Sequence, residues 1–112
     1  MFDFQSLPKP DKKIIHELME KGLQKEFEME LIEAEKILKE WRNNNKNNKE
    51  SYHTLYMHIA NFDKHIARRY DGMTGSRYIQ LVSTQLEEEL ISEEDIAGLS
   101  EKGKGYLKFK WI

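Results

Sequence analysis

Apolar residues recur at steps of three and four through most of this chain. The clearest run is YHTLYMHIANFDKHIARRY, residues 52–70. Tyr52, Leu55, Tyr56, Ile59, Phe62, Ile66 and Tyr70 fall on one stripe at about 100° per residue, which predicts an amphipathic helix. Asp63 lies inside that stripe. An ionised carboxylate there is expected to be at least half-buried and to need a partner, such as a tyrosine hydroxyl, an arginine or a helix N-terminus.

Upstream, the spacing predicts a helix over Lys12–Trp41, with Asp11 as its cap. Its apolar residues form two stripes. Ile14, Ile15, Leu18 and Met19 make the first. Leu23, Phe27, Leu31, Ala34, Leu38 and Trp41 make the second, rotated by roughly 140° on the helical wheel. The change falls at Gly22. Either the helix kinks there, or one continuous helix of about 45 Å meets different neighbours along its length. From Phe27 to Trp41 the steps are four, three, four, three, which is an a/d seam of two heptads. Such a seam is either the core face of a bundle helix or a dimer contact through Phe27, Leu31, Leu38 and Trp41.

The Asn-rich stretch 43–50 is polar and predicts a loop, so the two helices should form an antiparallel hairpin, with Asn48 or Ser51 capping the second. After Tyr70, Gly72 suits a left-handed helix terminus, and Thr74 or Ser76 can cap a third helix over Arg77–Ile91. Ser92-Glu-Glu-Asp95 has the form of a capping box and predicts a short fourth helix ending near Gly98–Leu99. The ends read as extended. Residues 1–10 alternate Phe2 and Phe4 before two prolines. Residues 100–112 read as a loop followed by a tail alternating apolar residues with lysines. The fold expected is all-α: a small antiparallel helical bundle of three main helices and a short fourth, one domain over 1–112, with extended arms.

Composition supports a folded core. Charged residues make up 34% and hydrophobic residues 38% of the chain, both signs are interspersed, and the net charge is −2. That is neither a disordered composition nor a polycation. The chain has no cysteine, which removes disulfides, thiolate ligands and cysteine nucleophiles. No apolar run reaches the ~18 residues of a membrane helix, and no secretory signal is legible, so a cytoplasmic protein without a membrane partner is expected.

Candidate chemistry is sparse. His58 and His65 share a line of the second helix but stand about 10 Å apart along it, too far to share one metal ion. Glu50-x-x-His53 is a single unit of a motif that carboxylate-bridged metal bundles use in pairs. No metal site, cofactor or catalytic residue is therefore expected. An active site built on Asp63, His58 and His65 would require the three to border one cleft. The most charged local feature is basic: Lys64, Arg68, Arg69 and Arg77 surround the turn after Tyr70. They can offset a helix C-terminus, or they can contact phosphate and single-stranded bases. Two functions follow as expectations. The first is a non-enzymatic interaction or regulatory protein that contacts a protein partner or itself through the Phe27–Trp41 seam. The alternative is a nucleic-acid-associated protein using residues 64–77.

Overall fold

The N-terminal prolines begin a helix instead of holding the chain extended. In the computed structural model, which describes residues 4–44 and 46–108, Phe4–Ser6 forms one 3-10 turn and α1 runs from Lys9 to Asn43. Pro10 sits in the first turn of α1, where a backbone N–H would lack an intrahelical acceptor anyway. The expected extended arm over 1–10 is corrected for residues 4–10; Phe2 lies outside the described residues. α2 follows over Asn48–Tyr70, α3 over Gly75–Glu87 and α4 over Glu101–Lys108. The protein is all-α, a small helical bundle with no strand among the described residues. It divides into two compact units, one made of residues up to 25 together with those from 72 onward, the other of residues 26–71.

The first unit holds the hydrophobic core. Ile15 and Leu18 of α1 pack in one cluster with Ile79 and Val82 of α3, with Ile91, Ile96 and Leu99 of the segment that follows, and with Leu107 of α4. Phe4 and Leu7 close the same cluster. The first apolar stripe of α1 is thus a core stripe. α1 passes through Gly22 without interruption. The glycine is there for space: a Cβ would overlap the Gln85 side chain, which is fully buried and donates from Nε2 to the Met19 carbonyl at 3.1 Å.

α3 ends at Glu87, four residues before the predicted Ile91. Glu89 takes a left-handed conformation, with φ 61°, and the Leu90 N–H bonds back to the Gln85 carbonyl at 2.9 Å. This helix-terminating turn swings Leu90 and Ile91 into the core. The capping box at Ser92 and Asp95 forms reciprocally: the Ser92 N–H donates to Asp95 Oδ2 at 2.8 Å and the Asp95 N–H to Ser92 Oγ at 3.3 Å. Only turns follow it, because residues 92–99 close through successive i→i+3 bonds that carry Ile96 and Leu99 inward. The predicted fourth helix there is corrected.

The fourth helix instead occupies Glu101–Lys108, where a loop and an extended tail were expected. Its start is fixed from α1. Asp11 does not cap its own helix. Its buried carboxylate accepts from the Ser100 N–H at 2.9 Å and from the Ser100 hydroxyl, and Ser100 Oγ in turn accepts from the Gly103 N–H at 3.2 Å. The rest of the alternating tail, Phe109–Ile112, lies outside the described residues.

Asp95 is also tied to α1, through an ion pair with Lys21. That contact, then the Ser92 N–H, holds its carboxyl below the usual 3.8. A depressed carboxyl stabilises the fold above its unfolded-state pKa and loses that contribution as pH falls through its folded value. Asp95→Asn is therefore expected to cost about 1 kcal/mol at neutral pH, a modest figure because solvent screens the lysine. The wild-type advantage should shrink below pH ~4 and vanish in stronger acid. Urea unfolding of both proteins across that range is the check, and a difference independent of pH would refute it.

Candidate interaction face of the helical hairpin

The second unit is a hairpin of two helices, the C-terminal half of α1 and all of α2. Asn47 caps α2, its side chain accepting from the Glu50 N–H at 3.0 Å, in place of the expected Asn48 or Ser51. The helices are antiparallel, as the pairs Trp41–Asn48, Glu30–His58 and Glu26–His65 show.

What lies between them is largely polar. Glu26, a buried residue of α1, accepts from Tyr70 Oη at 2.5 Å, His65 Nε2 at 2.6 Å and Arg69 Nη1 at 3.2 Å. One turn on, Glu30 bonds His58 Nδ1 at 2.8 Å. A buried carboxylate is tolerable only when its oxygens are satisfied this fully. Towards the turn the interior becomes apolar, with Ile37, Trp41 and Leu55.

The line of α1 that meets α2 is thus Glu26, Glu30, Ile37 and Trp41. The predicted seam Phe27–Leu31–Leu38 lies roughly 90° round from it. Phe27, Leu31 and Leu38 are consequently exposed by 40%, 69% and 48%. Phe27 packs edge-on against the Phe62 ring at 5.2 Å. Trp41 is half-buried and donates from Nε1 to Asn48 at 2.7 Å.

On α2 the stripe read from the sequence is not a core face either. No residue of α2 is buried, and Tyr52, Tyr56 and Ile59 are 72%, 58% and 42% exposed. They too lie to one side of the line facing α1. In antiparallel helices, equal rotations away from the contact line open on the same side of the pair. The two exposed stripes therefore form one continuous apolar face. A cavity of about 230 Å³ between Leu38, Trp41, Tyr52 and Leu55 lies on it, while the cavity lined by Glu40, Lys46, Glu50 and Thr54 is polar.

Asp63 is exposed on α2, and among the described residues it makes no hydrogen bond or ion pair, against the expectation of a half-buried, partnered carboxylate. Its position is roughly 150° round α2 from His58 and His65, whose rings are turned to Glu30 and Glu26. The three border no common cleft, so an active site of that composition is not assembled. Among the described residues, no group of three or more His, Asp or Glu side chains is placed to hold a metal ion. Among the described residues, no helix is long and apolar enough to cross a membrane. The basic residues divide between the two units. Lys64 and Arg68 are exposed, with Arg68 Nε donating to the Lys64 carbonyl at 3.3 Å. Arg69 turns onto Glu26, and Arg77 is an exposed residue of α3 in the other unit.

The buried Glu26 cluster escaped the sequence reading. Its signal was present: Glu26 and Glu30 one turn apart on α1, His58 and His65 two turns apart on α2. Comparisons with protein-family models, with curated proteins and with solved structures find no match for this chain.

Proposed function

We propose that this is a non-enzymatic, cytoplasmic interaction or regulatory protein that binds another protein surface through the apolar face of its hairpin. One observation carries the reading: Phe27, Leu31, Leu38, Tyr52, Tyr56 and Ile59 open on one side of the α1–α2 pair, each at least 40% exposed. Isolated surface leucines are ordinary, but a contiguous apolar patch rimmed by charge is the usual mark of a contact site. Exposed tyrosines beside an apolar cavity are the side chains that dominate such contacts. The nucleic-acid alternative has less support, because Arg69 is committed to Glu26.

Site-specific photo-crosslinking in cells tests this. A benzophenone side chain at position 31 or 52 is expected to yield protein adducts far above those from position 13 or 101, which are exposed but lie off the face. Equal labelling at all four positions would refute an interaction face on the hairpin.

A further inference from the structure

The rims of the apolar face carry opposite charges at their two ends. On α1, Glu28 flanks the stripe away from the hairpin turn and Arg42 flanks it near the turn, with the ion pair Glu35–Lys39 (3.5 Å) between them; all four are exposed. On α2, Lys49 and His53 flank the stripe near the turn, and Asp63 lies within it, away from the turn; all three are exposed. His53, like Asp63, has no hydrogen bond or ion pair among the described residues. The apolar stripe has a related symmetry. Phe27, Leu31, Ala34, Leu38 and Trp41 read almost the same in both directions about Ala34.

We infer that the face is covered by a second copy of this protein turned end for end, so that α1 packs on α1 and α2 on α2 across a two-fold axis. The inference rests on the reading of the hairpin as a docking surface and names its occupant. Four antiparallel helices then enclose one core, a standard bundle arrangement with a self-complementary interface. Leu31 of each copy meets Leu38 of the other, Phe27 meets Trp41, and the small Ala34 lies at the axis, where the backbones approach most closely. Glu28 comes opposite Arg42 and Asp63 opposite Lys49. Stacking the copies with both turns at one end would place α1 on α2, bringing Arg42 over Lys49. The charge pattern thus selects the end-for-end arrangement.

The area is adequate. Counting about 200 Å² for a whole aromatic or long aliphatic side chain, the six apolar residues leave on the order of 700 Å² uncovered per copy. That exceeds the ~300–600 Å² of the largest patch on a typical monomer and approaches the ~800 Å² per partner of a stable interface.

Light scattering behind size exclusion, over a concentration series, tests the inference. The expected mass is twice the 13.4 kDa of the chain. Leu31→Glu, an exposed site that leaves the core intact, should give a monomer of unchanged helicity. Glu28→Arg and Arg42→Glu should each weaken dimerisation by roughly three- to tenfold, and the double exchange should restore it to within about twofold. Within one chain the two positions stand about 21 Å apart along α1, so restoration can act only between chains. A wild-type monomer at every concentration would overturn the second copy as occupant, while position-31 adducts to other proteins would still uphold the hairpin as a docking surface. A dimer that survives Leu31→Glu, or one that the double exchange fails to restore, would overturn the arrangement.

Discussion

Asp11→Ala is expected to lower the stability of the fold by about 2–4 kcal/mol, the largest effect of any single substitution considered. The carboxylate is 2% exposed and holds the start of α4 through both the N–H and the hydroxyl of Ser100. Hydrogen bonds to a charged acceptor are each worth about 1.5–3 kcal/mol, and a negative charge at a helix N-terminus adds a favourable dipole interaction. Alanine removes all of this and strands the Ser100 N–H in a half-buried place. Without that anchor, α4 has little to make it helical, since two of its eight residues are glycine. Leu107 would then lose its seat in the core. In a chain of this length the midpoint of thermal unfolding should fall by roughly 10–15 °C. Asp11→Asn keeps an acceptor without the charge and should cost about half as much. Urea unfolding with far-ultraviolet circular dichroism reads both. A loss below 1 kcal/mol for the alanine variant would mean that α4 is held by other contacts.

Gly22→Ala is expected to destabilise by about 1–3 kcal/mol, although the same exchange inside an ordinary exposed helix gains about 1 kcal/mol. The added methyl would fall within 2.9 Å of Gln85 Cγ and closer still to its amide group. Gln85 is fully buried, and moving it would break its hydrogen bond to the Met19 carbonyl. The conflict is specific to one pair, so a double-mutant cycle isolates it. In a Gln85→Ala background the glycine-to-alanine exchange should become neutral or stabilising, giving a coupling of about 2 kcal/mol. If Gly22→Ala alone stabilises the protein, Gly22 does not serve to admit Gln85.

Periodicity located α2 and α3, the hairpin and the core stripe Ile14–Met19, because each is a local pattern repeated over several turns. It could not decide which line of α1 faces α2. That line is set by Glu26 and Glu30, and glutamates count as outward-facing in any apolar template. Here they are drawn inward by His58, His65, Arg69 and Tyr70, partners 28 to 44 residues away. Once two carboxylates take the interior, the neighbouring apolar line is turned out to solvent. The chain ends were misread for a similar reason. Lys-Gly-Lys-Gly-Tyr-Leu-Lys has weak helical propensity, and its conformation depends on an acceptor 89 residues earlier in the chain. The Phe27–Leu31–Leu38 line was legible as an apolar stripe, but its spacing alone did not tell a core face from an exposed one.

α1 is one uninterrupted helix that belongs to both units. The unfavourable step in making a helix is its first turn; every later residue adds a hydrogen bond at small entropic cost. The apolar core that holds α1 lies in the segment that carries Ile15 and Leu18. A second helix that buries no residue is held by the polar contacts within its own hairpin. Local opening of the hairpin, by unwinding back towards residue 25, leaves the hydrophobic core intact.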